Sequence, residues 1–124
     1  MTVQAKKAIL LVEDNKELAK SLSGHLTEEG YAVTPANSGE SALEELQKKE
    51  FAIVVLDLKL PKLSGFEVLK STKKNFPKTK VIVLTAYADP MNITMCKELG
   101  SDEVIAKPYD LAFLFETIRS FLKG

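Results

Sequence analysis

Short unbroken apolar runs recur along the chain, and each ends on a polar or charged group. The central one is Phe51-Ala52-Ile53-Val54-Val55-Leu56, which stops at Asp57. An uninterrupted run rich in β-branched residues predicts a strand covered on both faces, as in a parallel sheet. Ala8-Ile9-Leu10-Leu11-Val12 predicts another and ends in Glu13-Asp14. Val81-Ile82-Val83-Leu84 predicts a third, finishing in the hydroxyl of Thr85. Residues 31–36 alternate weakly and suit an outer strand, and residues 103–107 form a short strand ending in the cation Lys107.

Between these runs the apolar period lengthens to that of a helix. Asn15 can cap a helix from Lys16 to about Glu29, with Leu18, Leu22 and Leu26 on one face and Gly30 as the stop. Ser38 caps a short helix through Lys48, buried by Ala42, Leu43 and Leu46. Ser64-Gly65-Phe66-Glu67 matches a capping box, in which the serine hydroxyl and the glutamate satisfy free amides reciprocally. The helix it opens runs to Phe76 and ends at Pro77. Asp89-Pro90 places an N-cap before a proline at the first helical position, and Gly100 ends that helix after Leu99. Asp110 caps the last helix, whose stripe is Leu111, Leu114, Phe115, Ile118, Phe121 and Leu122. His25 reads as a surface residue; Cys96 and Met95 read as packing residues of the fourth helix. Five strand–helix repeats with short connections predict an α/β fold, a parallel sheet with helices on both faces and right-handed crossovers.

Composition narrows the class. The 124 residues fit one domain spanning 1–124, either free-standing or cut from a longer chain. Lys+Arg and Asp+Glu both number 17, so formal net charge is zero, which argues against this domain gripping nucleic acid by itself. Cys96 is the one cysteine, which excludes an internal disulfide and suits a reducing cytoplasm. No run approaches a membrane-spanning length.

The polar groups at the strand ends carry the chemistry. In strand order 2-1-3-4-5 the first and third strands flank the topological switch point, where ligands bind beyond the strands' C-terminal ends. Glu13, Asp14, Asp57, Thr85 and Lys107 then converge on one crevice. Two carboxylates about 4 Å apart repel by on the order of 4 kcal/mol at an effective dielectric near 20. Lys107 offsets part of this. A hard divalent ion is the natural complement, and Mg²⁺ suits one or two carboxylates with waters and a phosphate.

At these positions the chain resembles the receiver domain of bacterial two-component response regulators, over essentially its full length. The motifs are Leu11-Val12-Glu13-Asp14-Asn15, Val55-Leu56-Asp57-Leu58-Lys59-Leu60-Pro61 with Gly65 following, Leu84-Thr85-Ala86, and Ala106-Lys107-Pro108-Tyr109. The resemblance implies a flavodoxin-like (βα)5 doubly wound sandwich. It implies that Asp57 accepts a phosphoryl group from the phosphohistidine of a sensor histidine kinase or phosphotransfer protein. Asp14 and Asp57 would bind Mg²⁺, with the Lys59 backbone carbonyl as a further ligand and Glu13 acting through water. Lys107 and Thr85 would hold phosphoryl oxygens, and Lys107-Pro108 would be a cis peptide. The domain would catalyse its own phosphoryl transfer and dephosphorylation without turning over external substrates, and would signal to a downstream effector.

Four residues depart from the usual receiver pattern or stand out within it. Val104 occupies the position, three residues before the lysine, where receivers usually carry Tyr or Phe. Tyr87, on the loop after the fourth strand, is the expected substitute as reporter of the phosphorylated state. Lys59 and Tyr87 can both overhang the phosphoryl group and hinder water, which predicts a long-lived acyl phosphate. Phe113 points away from the apolar stripe of the last helix, taking about 100° per residue, and suggests a partner or homodimer surface or packing on Tyr109. Two other functions are compatible with this fold: an interaction module that signals without phosphate, and a flavin-binding protein or phosphatase. Acids stand after the first strand, where the enzymes would need a glycine- or hydroxyl-rich phosphate loop.

Overall fold

The computed structural model describes residues 6–123. Five strands and five helices alternate: β1 (Ala8–Val12), α1 (Lys16–Glu28), β2 (Ala32–Ala36), α2 (Gly39–Lys48), β3 (Ile53–Leu56), α3 (Gly65–Asn75), β4 (Lys80–Thr85), α4 (Pro90–Glu98), β5 (Glu103–Ala106) and α5 (Leu111–Leu122). The sheet is wholly parallel, as the run-and-helix pattern predicts, and its strand order is β2-β1-β3-β4-β5.

Alternation along the strands sorts the helices onto the two faces. Leu10, Val12, Val54, Leu56, Val81 and Val83 point one way and pack with Ala42 and Leu46 of α2, Val68 and Leu69 of α3, and Cys96 of α4. Ile9, Leu11, Ile53, Val55, Ile82 and Leu84 point the other way and pack with Leu22 and Leu26 of α1 and with Leu114 and Ile118 of α5. The three central strands are therefore covered on both sides, which is why they read as continuous apolar runs and not as alternating ones. Pro35 sits in β2, an edge strand where its missing amide costs no inner ladder bond.

Some local expectations need correction. Leu18 does not join the buried stripe of α1; it is 50% exposed, and Ala19, Leu22 and Leu26 form the buried face instead. Leu18 instead lies at the rim of the crevice that Glu13, Asp14 and Asp57 line. The Ser64 hydroxyl makes no capping hydrogen bond. The Glu67 amide that it would have satisfied donates to the Ser64 backbone oxygen at 3.1 Å. Asp89 likewise caps α4 without a side-chain bond, with Pro90 at the helix start. Met95 is 46% exposed, while Cys96 is fully buried. Gly30 and Gly100 adopt φ of +98° and +99°, the left-handed stops that end α1 and α4.

Candidate functional site

Backbone pairing beyond the strand ends sets the positions of the polar groups. The Glu13 amide donates to Ala36 O at 3.0 Å, the Asp57 amide to Val12 O at 3.1 Å, and the Lys107 amide to Thr85 O at 2.8 Å. Each bond extends a ladder by one residue, so the side chains leave the sheet's C-terminal edge in a common direction. Gly65 closes the β3–α3 loop against them, its amide donating to Leu58 O at 2.9 Å. A Cβ at Gly65 would lie 2.4 Å from Asp57 O and 2.5 Å from Leu58 Cα, so the loop can pass here only without a side chain. The Lys107–Pro108 peptide is cis.

Glu13, Asp14 and Asp57 each present a carboxylate oxygen, all within 4.8 Å of one another. Lys107 Nζ bridges two of them, at 2.8 Å from Glu13 Oε1 and 3.2 Å from Asp57 Oδ2. The other oxygens are also engaged. Glu13 Oε2 accepts from the Asn15 amide at 3.2 Å, and Asp57 Oδ1 accepts from the Lys59 amide at 3.1 Å. Asn15 in turn caps α1, its Oδ1 accepting from the amides of Glu17 and Leu18. Asp14 stands exposed at the mouth. The crevice encloses about 410 Å³ and is lined by Glu13, Asp14, Asp57, Lys59, Tyr87 and Lys107, among others.

Thr85 is fully buried at the end of β4, and its Oγ1 accepts from the Tyr87 amide at 2.9 Å. Sequence reasoning did not foresee the contact across the crevice mouth: Lys59 Nζ donates to the Tyr87 phenol oxygen at 3.1 Å and lies 5.4 Å from the ring centroid. Two loops separated by 28 residues meet there, a pairing that spacing along the chain cannot signal. Val104 is half-buried and packs on the face that carries α2, α3 and α4.

The charges are unevenly satisfied. Burial alone would push the Lys107 ammonium down, but its bond to Glu13 and the charges of Asp57 and Glu13 outweigh this and hold it above the ordinary lysine value. Glu13 is also raised, chiefly by burial, with the Lys107 and Asn15 bonds opposing. The two directions differ in what they favour, since the first keeps the pair charged and the second does not. Lys107 faces two carboxylates, whereas Glu13 shares its one cation with Asp57; the geometry therefore supports Lys107 as a fixed cation in a pocket that still carries excess negative charge. Lys59 is raised chiefly by its bond to Tyr87, with the Asp14 and Asp57 charges adding to it. Three oxygen donors and one ammonium leave room for a hard cation, and the donor set fits a divalent ion.

Residues 9–119 match the family described as the response regulator receiver domain. The chain belongs to that family. Among its relatives, response regulator RR06 of Streptococcus pneumoniae is 36% identical over 117 residues, covering 93% of this chain and 52% of that protein. The receiver domain thus spans about half the length of the curated relatives it matches. A CheY-like receiver domain protein from Methanospirillum hungatei superposes with a TM-score of 0.90 at 32% identity, covering 94% of this chain and 93% of that one. Response regulator TrrA from Thermotoga maritima, solved in complex with Mg²⁺ and beryllofluoride, gives 0.85 at 32% identity, covering 94% and 99%. The sandwich is flavodoxin-like as expected, and this receiver is a phosphoacceptor switch whose acidic cluster suits the phosphorylation site.

Proposed function

We propose that Asp57 is the phosphoacceptor, taking the phosphoryl group from the phosphohistidine of a sensor histidine kinase or phosphotransfer protein. The observation that carries this reading is the Lys107 bridge, 2.8 Å from Glu13 and 3.2 Å from Asp57, inside a three-carboxylate cluster. An Asp57 carboxylate oxygen attacks phosphorus as the P–N bond breaks, and the electron pair leaves on the histidine nitrogen. Such transfer needs alignment and charge neutralisation more than covalent assistance. Lys107 supplies one fixed positive charge at the point of attack. Thr85, a hydroxyl with a proton to donate, supplies a hydrogen bond at the other side of the crevice.

The ion that completes the cluster is Mg²⁺ in this reading, held by Asp14, Asp57 and the Lys59 backbone carbonyl. Glu13 would act through water, as in the receiver pattern, while keeping its bond to Lys107. When bound, the ion would offset charge on the phosphoryl oxygens. Support for it comes from the hard donor set and from the Mg²⁺–beryllofluoride complex of TrrA.

The domain catalyses its own phosphorylation and dephosphorylation and is no turnover enzyme on external substrates. It works in the cytoplasm; among the described residues no helix is long and apolar enough to cross a membrane. Its output is a changed surface for a downstream effector. Incubation with a small-molecule phosphodonor and Mg²⁺, followed by intact mass measurement, is expected to add one phosphoryl group to the wild type and none to Asp57→Asn. Equal labelling of the two proteins would overturn the assignment.

A further inference from the structure

Tyr87 is held by three hydrogen bonds, two of them to residues that border the phosphoacceptor. Its phenol oxygen accepts from Lys59 Nζ at 3.1 Å, and its amide donates to Thr85 Oγ1 at 2.9 Å. The third ties its carbonyl to Asn92 Nδ2 of α4 at 3.0 Å. The ring is 47% exposed and walls a shallow groove of about 290 Å³ with Leu58, Phe66 and Asn92.

Lys59 is a residue in two places. Its amide sits 3.1 Å from Asp57 Oδ1, while its ammonium rests on the Tyr87 phenol. The flexible four-carbon stem lets the charge pivot about an anchor that already touches the acceptor carboxylate. In the unphosphorylated state Asp57 Oδ2 is taken by Lys107 and Oδ1 by the Lys59 amide itself. With both Asp57 oxygens already accepting a bond from another donor, the ammonium rests on the Tyr87 phenol instead. A phosphoryl group changes the competition, adding about −1.5 to −2 charge and three acceptor oxygens. An ammonium bound to a charged phosphoryl oxygen gains Coulomb attraction that the phenol oxygen does not offer.

We propose that the Lys59 ammonium is a second phosphoryl-binding cation, stored on the Tyr87 phenol until Asp57 is phosphorylated, and that its transfer to the phosphoryl group releases Tyr87. This rests on Asp57 being the phosphoacceptor. The Thr85 hydroxyl acts in the same direction, because turning to donate to a phosphoryl oxygen takes its lone pair from the Tyr87 amide. One chemical event thus cuts both tethers to the crevice and leaves Tyr87 attached to α4 through Asn92. The consequence is a reshaped groove beside Leu58 and Phe66. Val104 supplies no ring for such a response, so the aromatic reporter is the one on the β4–α4 loop.

Titration of Mg²⁺-loaded protein with beryllofluoride, followed by NMR, tests the device and its premise separately. Thr85 and Lys107 amides report occupancy of the acceptor site; the Tyr87 ring resonances report release. In the wild type both sets are expected to shift with one midpoint. Lys59→Met, which keeps the stem and loses the charge, should raise the beryllofluoride midpoint severalfold and diminish the Tyr87 ring shift. Tyr87→Phe, which removes the storage partner and keeps the ring, should lower the midpoint severalfold. Opposite signs for the two variants support the proposal, since general damage to the site would weaken binding in both. A Tyr87 ring that does not respond while Thr85 and Lys107 shift overturns it and leaves Asp57 as acceptor. Midpoints unchanged or moved in one direction by both variants also overturn it. Silence at Thr85 and Lys107 in the wild type defeats the acceptor reading and this one together.

Discussion

At the scale of single residues, Glu13 links the charge of the crevice to folding. Its carboxyl is raised above the ordinary value of 4.5, chiefly by burial. The folded protein therefore keeps this proton to a higher pH than the unfolded chain does. Stability from the group is complete below the ordinary glutamate range and is lost as pH rises through the folded value. Glu13→Gln cannot ionise and escapes that loss. In Mg²⁺-free buffer the variant's urea midpoint should therefore gain on the wild type as pH rises out of the acid range; a constant difference across pH would contradict this. Lys59 and Tyr87 act on lifetime instead. With the Lys59 cation on the acyl phosphate and a bulky ring bordering the crevice, the wild type should lose phosphate more slowly than a Lys59→Asn, Tyr87→Glu protein. A contact worth about 1.4 kcal/mol in the hydrolytic barrier corresponds to about tenfold in rate. Timed loss of the phosphorylated mass measures it, and faster loss from the wild type would refute it.

At the scale of elements, the β3–α3 loop is the tightest constraint on the site. The Asp57 carbonyl and the Leu58 backbone occupy the space a side chain at Gly65 would need. Gly65→Ala is expected to destabilise by about 1–3 kcal/mol, the usual range for overpacking, with loss of Mg²⁺ affinity as Asp57 is displaced. Urea denaturation and Mg²⁺ titration measure the two effects; an unaltered variant would show that the loop can give way. The opposite edge of the sheet is pinned by Asp102, whose Oδ2 accepts from the Val81 amide at 2.8 Å and from Lys73 Nζ at 3.0 Å. This holds the entry to β5 against β4 and α3, so that Ala106 pairs with Thr85 and Lys107 emerges one residue beyond it. Helix ends were legible where glycine, proline or an asparagine cap marks them. The Ser64 capping box was misread because a four-residue pattern does not show that the Glu67 amide is already taken by backbone. Leu18 was misplaced because i, i+4 spacing gives a stripe's period and not its rotation about the helix axis, and Met95 because residue type does not say which side of α4 it takes.

At the scale of the whole molecule, zero net charge conceals a local excess of negative charge at one end of the sheet. Removing the cation that bridges it should reach global stability. Lys107→Met is expected to cost about 1–2 kcal/mol without divalent ions, less than a fully buried pair because the crevice is partly open. Mg²⁺ should restore more of that loss than it adds to the wild type, since the ion binds only the folded state and replaces a missing charge. Thermal melts with and without Mg²⁺ compare the increments, and equal increments would count against a shared electrostatic role. Phe113 remains 49% exposed on α5, where sequence periodicity had placed it. The order of elements, the two-sided burial of the central strands and the polar residue ending each of them were determined by the sequence alone, because period, length and terminating residue are local properties. Lys107 reaching both Glu13 and Asp57, the Lys59–Tyr87 bond and the Thr85–Tyr87 tether were decided only by the tertiary structure. Bond formation across strands depends on how far each loop carries a side chain over the sheet edge, a length that only the packed backbone sets.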